Sequence, residues 1–338
     1  MLAIADNVRE LAGLDPQALP DAVLKSAQPV VLRGLVANWP MVRAGLEPAP
    51  AADTYLRKFY RDATVVAMLG GPDIGGRFFY NDDLTGFNFR SVRVKLDTVL
   101  DEIERHRHED RPPAIYVGST TVDTCLPGFR GENDVNLGER QPLVSVWLGN
   151  RTRIAAHHDL PDNLACVVVG RRRFTLFPPE ELANLYIGPL DFTPAGQAIS
   201  LVDFARPDLA RFPRFADALS RAQVAELGPG DAIFIPSMWW HHIESLESLN
   251  VLVNYWWRQS PAYMDSPMNA LMLAIASVRD LPPEQRRAWQ NLFRHYVFEA
   301  DEQTAAHIPA GSRRSLAAPM DAQMARELRA RLLQKLNR

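Results

Sequence analysis

Residues 229–245, Pro229-Gly230-Asp231-Ala232-Ile233-Phe234-Ile235-Pro236-Ser237-Met238-Trp239-Trp240-His241-His242-Ile243-Glu244-Ser245, read as a turn, a strand, a break and a second strand. Gly230-Asp231 turns the chain into the apolar run Ala232–Ile235, and Pro236 ends regular pairing because it lacks an N–H. The chain then reaches His241 past two tryptophans, whose bulk surrounds whatever His241 touches. Far upstream, Ala156-His157-His158-Asp159 places a histidine and an aspartate two residues apart at the end of another strand. Residues i and i+2 of a strand share a face, so His157 and Asp159 can point inward together while His158 points away. The same alternation lets only one of His241 and His242 face inward, and the apolar flank favours His241 over its competitor.

A lone histidine and aspartate in a dry interior are costly unless paired or bound to metal. A hydrogen-bonded His–Asp pair at a barrel mouth is the plainer reading of His157 and Asp159 taken alone. With His241 as a third donor, the set becomes two imidazoles and one carboxylate around a metal with open positions. That ligand set belongs to non-haem Fe(II) oxygenases.

Outward from these segments the β signal dominates from Ala114 to Trp257. Candidate strands are Ala114–Val117, Leu143–Leu148, Ile154–His157, Leu164–Val169, Phe174–Phe177, Ala232–Ile235, His241–Ser245 and Asn250–Trp257. Eight short strands with turn residues between them predict an antiparallel sandwich or barrel. The Pro- and Phe-rich excursion 180–228 is long for a compact barrel and reads as a lid or rim. Earlier residues mix short helices with strand-like runs at Gln28–Arg33, Thr64–Met68, Arg77–Tyr80 and Phe89–Val94, then a helix from Leu96 to His106 with apolar residues at 96, 99, 100 and 103. Pro40 and the stretch 48–52 punctuate this region. After Pro261 the periodicity is helical, over Met268–Val278, Glu284–Phe298 and Asp321–Asn337. So much Leu, Met and aromatic content needs a surface to cover it, and a second copy of the chain is the expected partner.

Composition excludes several classes. The chain has 338 residues, and its net charge of −3 argues against a general nucleic-acid binder. From Ser312 onward seven basic residues face two acids, a solvated helix face. Two cysteines, Cys125 and Cys166, build no disulfide framework and fit a reducing compartment. The beginning Met1-Leu2-Ala3-Ile4-Ala5-Asp6 lacks a basic secretory n-region. No apolar run reaches the roughly 18 residues that span a bilayer. A cytoplasmic protein without a membrane or nucleic-acid partner is expected.

The ordered blocks Tyr116–Thr120, His157-His158-Asp159 with Asn163, Phe174–Pro179, Val202-Asp203-Phe204, Arg211-Phe212-Pro213, Pro229-Gly230-Asp231, Ile235-Pro236, Trp239–Ser245 and Val253–Trp256 carry a resemblance. Together with Arg33-Gly34 and Trp39-Pro40, the chain resembles the cupin-like JmjC family of Fe(II)/2-oxoglutarate oxygenases. Within that family it resembles in particular the asparaginyl hydroxylase that inhibits the hypoxia-inducible factor, and bacterial cupin-type relatives. The resemblance implies a mainly β fold, a double-stranded β-helix or jelly roll. N-terminal α/β elements (1–110) would augment a catalytic core (111–260), followed by a helical region (261–338) that forms a homodimer.

The resemblance also implies that His157, Asp159 and His241 ligate Fe(II), and that 2-oxoglutarate and O₂ are the co-reactants. A C–H bond of a protein side chain or small molecule would be hydroxylated, with succinate and CO₂ released. Arg172 stands where the family has a lysine for the far carboxylate of 2-oxoglutarate, and it keeps the charge with a different geometry. Arg171, Arg172 and Arg173 as mere decoration of a hairpin is the competing reading. Ile154 replaces a threonine that assists the same carboxylate, whereas Tyr116 is retained. Asn163 and Asn254 match positions near the cosubstrate and iron. Trp239, Trp240 and Trp256 are expected to wall the substrate pocket, and core packing is the competing reading of all three. Two rival functions share these residues: a metal-binding cupin without turnover, and a Zn- or Mn-dependent cupin isomerase or hydrolase.

Overall fold

A computed structural model describes residues 4–47 and 50–337. It divides into two compact units, Met1–Gln259 and Ser260–Arg338.

The first unit is built on strands β1 (Asp6–Asn7), β2 (Arg9–Ala12), β3 (Val30–Arg33), β4 (Thr64–Gly70), β5 (Arg77–Phe78), β6 (Arg90–Lys95), β7 (Ala114–Thr121) and β8 (Leu143–Gly149). It continues with β9 (Arg153–His157), β10 (Asp162–Val169), β11 (Arg172–Phe177), β12 (Gln223–Leu227), β13 (Ala232–Ile235), β14 (Trp240–Ser245) and β15 (Asn250–Trp257). They form a six-stranded sheet ordered β1-β12-β11-β14-β9-β5 and a nine-stranded sheet ordered β2-β3-β13-β10-β15-β8-β7-β4-β6. The fold is thus mainly β, two facing sheets rather than a closed barrel.

Pairing is antiparallel throughout the centre, as between β10 and β15 or β11 and β14. Parallel pairs occur only at β1–β12, β2–β3 and β5–β9 among the described strands, an exception to the expected antiparallel pattern. Residues of the first 100 extend the large sheet at both ends, β2 and β3 beside β13, β4 and β6 beside β7.

Strand β10 shows why the sequence folds this way. Every residue from Asp162 to Val169 is buried, which a strand achieves only when both of its faces are covered. Leu164, Cys166 and Val168 join one core with Met41 and Val42 of the helix Pro40–Leu46 and with the buried face of the helix Leu96–Arg105. Ala165 and Val167 point between the sheets, against Phe174, Leu176, Ile233 and Leu252. The helix Pro40–Leu46 presses so close that a Cβ at Gly45 would meet the carbonyl oxygen of Val168 at 2.5 Å. Cys166 is a free, buried thiol of this core.

On the outer face of the small sheet, paired charges run across the strands. Glu226 meets Arg173, and Arg173 lies opposite Glu244, itself opposite Arg153. Arg153 and Arg77 both reach Asp203, at 3.0 and 3.8 Å, which ties the loop around Val202–Phe204 to the sheet. Burial drives the Arg77 guanidinium down to about 10, and Asp203 opposes that shift.

The excursion 180–228 holds a strand that its composition hides. β12 pairs with β11 and extends the small sheet. The remainder packs its own core of Phe204, Phe212 and Phe215 with Phe177 and Trp240.

The second unit is helical, over Pro267–Ser277, Pro283–Phe293 and Ala322–Leu336. Ser266 and Asp321 cap two of these helices by accepting the N–H of Met268 and Met324. The helix expected to run to Phe298 ends at Phe293 and closes in a single wider turn, Arg294–Phe298. No residue on the three helices is buried. No helix among the described residues is long and apolar enough to cross a membrane.

A candidate metal centre

His157 is the last residue of β9, and His241 lies directly opposite it on β14. Alternation on β14 sends His241 and Ile243 between the sheets, and His242 to the outer face against Phe204. Asp159 follows β9 by two residues. Its backbone is fixed by the turn Ser237-Met238, where Met238 N–H donates to the Asp159 carbonyl at 2.9 Å and Ser237 Oγ donates to the Leu160 carbonyl. Met238 holds φ at +70°, in the left-handed region, to complete this turn.

The three side chains converge. One donor atom from each of His157, Asp159 and His241 lies within 4.8 Å of the others, and His241 Nε2 is 3.6 Å from Asp159 Oδ2. The imidazoles stand with ring centroids 4.3 Å apart. His157 Nδ1 meets the Ala155 carbonyl at 2.9 Å, and His241 Nδ1 meets the Trp239 carbonyl at 3.0 Å. A carbonyl oxygen only accepts, so each Nδ1 carries the proton and each Nε2 keeps a lone pair for the shared centre. Burial, with His157 alongside, holds His241 down to about 4, so it is neutral at ordinary pH. His157 makes its hydrogen bond to Ala155, and none joins it to Asp159 among the described residues, unlike the plainer His–Asp pair. Two lone pairs and a carboxylate facing one point fit a divalent transition metal.

These residues line a cavity of about 640 Å³ between the sheets. Arg172, two residues beyond the tight turn at Gly170 (φ +74°), projects into it from β11. Its guanidinium is buried, and Nε and Nη2 have no partner among the described residues. Burial lowers it to about 10, with Tyr116 working the other way, so it remains a cation at neutral pH. Its neighbours Arg171 and Arg173 are paired with Glu226, Glu247 and Glu244 on the surface, so the three arginines are not alike.

Tyr116 lines the same cavity, and burial raises its hydroxyl well above the ordinary value. It stays an O–H donor. Ile154 occupies the wall near them, where it offers no hydroxyl. Asn163 accepts from Asn254 at 3.2 Å, and Asn254 accepts from Trp147 Nε1 at 2.7 Å, a chain that stiffens the opposite wall.

Trp256 lines the cavity with its indole N–H buried and without a partner among the described residues. Trp239 does not line it. That indole packs in the inter-sheet core with Val31, Ile233 and Ile235 and donates to the Ala27 carbonyl at 3.0 Å. Trp240 faces outward, edge-on to His158. Two residues that sequence reading missed complete the wall. Trp147 was findable, since it shares the inward face of its strand with Ser145. Gln197, which donates to Asp159 Oδ1 at 3.2 Å from the irregular rim, leaves no periodic signal. The rim residues Pro194, Ala195 and Ile199 border the cavity beside it.

Comparison with known proteins agrees with this geometry. The chain is 35% identical over 129 residues to "Lysine-specific demethylase JMJ31" of Arabidopsis thaliana, covering 36% of this chain and 23% of that one. It is 34% identical over 167 residues to "HSPB1-associated protein 1" of Homo sapiens, covering 48% and 32%. It is 27% identical over 245 residues to "Lysine-specific demethylase 8" of Danio rerio, covering 69% and 54%. The chain therefore spans from about a quarter to about half the length of these relatives. A model of the cupin-like domain matches residues 16–263, nearly the whole first unit. With strands β3 to β15 and the three converging side chains inside that match, the chain belongs to the cupin-like domain family.

Proposed function

We propose that the protein is an Fe(II)- and 2-oxoglutarate-dependent dioxygenase that hydroxylates a C–H bond of a protein side chain or small molecule. The observation that carries this reading is the buried Arg172 guanidinium, with two N–H groups unsatisfied, in the same cavity as the three metal donors. A buried cation without a partner is unfavourable unless a ligand supplies the anion. A dicarboxylate with one end at the metal and the other at Arg172 supplies it. When bound, Fe(II) and 2-oxoglutarate together activate O₂ and oxidise a C–H bond, releasing succinate and CO₂.

The chain's own residues do the rest. His157, Asp159 and His241 would hold the metal, with the Nδ1 hydrogen bonds to Ala155 and Trp239 fixing the ring orientation. Gln197 holds one carboxylate oxygen of Asp159 and leaves the other turned toward His241. Arg172 and Tyr116 grip the far carboxylate, the arginine through two parallel N–H groups. Asn163 and Asn254, bonded to each other and to Trp147, stiffen the opposite wall. Phe174, Leu252, Ile243 and Ile154 exclude water and so strengthen these charges.

The test is succinate formation by the purified protein with Fe(II), 2-oxoglutarate and O₂, abolished by a chelator. Metal binding without succinate under any substrate favours a binding protein. Turnover that persists without O₂ favours a Zn or Mn isomerase or hydrolase.

The helical unit supports a homodimer in this reading. Leu271, Trp289, Leu292, Tyr296, Leu333 and Leu336 are all exposed on it, an apolar set that a second copy of the chain would cover. Sedimentation at micromolar concentration should give twice the chain mass, and Leu333→Glu with Leu336→Glu should return it to the monomer. A wild-type monomer would refute the assembly. The two buried, free cysteines suit the reducing cytoplasm.

A further inference from the structure

Among the described residues the cavity is lined by a single carboxylate, Asp159, beside the cationic Arg172, the imidazoles His157 and His241 and the hydroxyl of Tyr116. Asp159 is committed to the metal in the reading above, which leaves no carboxylate to meet an incoming cation. The mouth end is instead hydroxylic and apolar, with Thr64, Thr121 and Thr124 beside Val66, Met68 and Trp256. Val66 is 47% exposed there, and Leu143, paired with Trp256, is 48% exposed. Such a mouth suits backbone amides and side chains of an extended polymer better than a closed cup for a metabolite.

The wall does not stop at β4. Directly opposite residues of an antiparallel pair share a face, and β6 pairs with β4 as Lys95 to Thr64, Arg93 to Val66 and Ser91 to Met68. Ser91, Arg93 and Lys95 therefore continue the cavity face outward as an exposed shelf. Lys95 is held by Asp62, whereas Arg93 enters no ion pair among the described residues. β5 packs over β7 through Phe78 and Tyr116, so β9, which carries His157, stands over β8. With strands about 4.8 Å apart, β6 lies about 14 Å from β8, about four residues of extended chain.

We infer that the substrate is an extended polypeptide that presents a neutral side chain to the metal and an acidic residue, about four positions away, to Arg93. This rests on the oxygenase reading and names its substrate class. A lysine or methylated lysine at the metal would bury a cation in a cavity whose Asp159 and cosubstrate carboxylates are already committed to the metal and to Arg172.

The test uses the full chain loaded with Mn(II) and 2-oxoglutarate under anaerobic conditions. It is probed with 13-residue peptides whose centre is Asn, Leu, Lys or trimethyl-lysine and whose flanking positions each carry Asp, Ala or Lys in turn. Neutral centres should bind tightest, with Asp preferred about three- to fivefold at one position near the fourth from the centre. That preference should vanish in Arg93→Ala and turn toward Lys in Arg93→Glu, a surface change that circular dichroism can check for folding. Absence of any acid preference, a preference unchanged in Arg93→Ala, or tighter binding of the lysine centres would each overturn it. Succinate formed by the wild type without peptide reports on the oxygenase reading alone, so the two failures are distinguishable.

Discussion

His241→Ala removes bound metal and lowers succinate formation by more than about a hundredfold. Changes to groups that merely orient a ligand cost about ten- to a hundredfold in metal affinity or activity, and His241 is itself one of three donors. The lost imidazole takes its lone pair from the shared centre and leaves His157 and Asp159, too few to hold a transition metal in a defined geometry. Metal analysis after dialysis should fall from about one ion per chain to a small fraction. His242→Ala is the control that isolates the cause. His242 is one residue along the same strand, but its ring lies on the outer face against Phe204. It should leave the metal content at one. Equal loss in both variants would mean that the strand, rather than the donor, was damaged, and the assignment of His241 would fall.

The contrast between these two histidines marks what a sequence can carry. Alternation on a strand is a rigid consequence of backbone geometry, so the inward set His157, Asp159 and His241 was readable once the strands were placed. The strands were bounded by strong punctuation such as Gly230, Pro236 and Gly170. The same rule misleads where the strand has not begun. Trp239 stands two residues before His241, yet β14 starts at Trp240 and Met238, just before Trp239, turns at positive φ. Alternation cannot be carried back across that turn, so Trp239 goes to the core and its N–H to Ala27.

β12 escaped for a different reason. Gln223-Val224-Ala225-Glu226-Leu227 is a short, weakly apolar segment after an irregular stretch, and only its pairing with β11 makes it a strand. Gln197 is less legible still, because a loop residue acquires a role from the fold around it. The departures at Arg172 and Ile154 could be seen in the sequence. Only the structure shows that Arg172 is buried with free N–H groups while Arg171 and Arg173 are satisfied at the surface.

Arg172→Met has the second large effect, and its two halves have opposite signs. Two charge-assisted hydrogen bonds to the far carboxylate contribute about 3 kcal/mol together, so the variant's KM for 2-oxoglutarate should rise by about 150-fold. Stability without ligand should move the other way. The wild-type guanidinium is charged, buried and lacks partners for Nε and Nη2, and replacing such a group with an apolar chain of similar reach stabilises by about 1–3 kcal/mol. The ligand-free Tm of Arg172→Met should therefore exceed that of the wild type. Adding 2-oxoglutarate at about 100 times its dissociation constant to the Mn(II)-loaded wild type stabilises it by about 2.7 kcal/mol beyond the metal alone, and the same addition should barely move the Mn(II)-loaded variant. Arg172→Lys separates charge from shape: it keeps a cation but loses the planar fork, so its affinity should fall between the two. A variant that keeps wild-type affinity for 2-oxoglutarate would place the far carboxylate elsewhere and leave the buried arginine without its partner. A ligand-free Tm below wild type would instead show that its alkyl stem packs the inter-sheet core more tightly than its orphaned charge disturbs it.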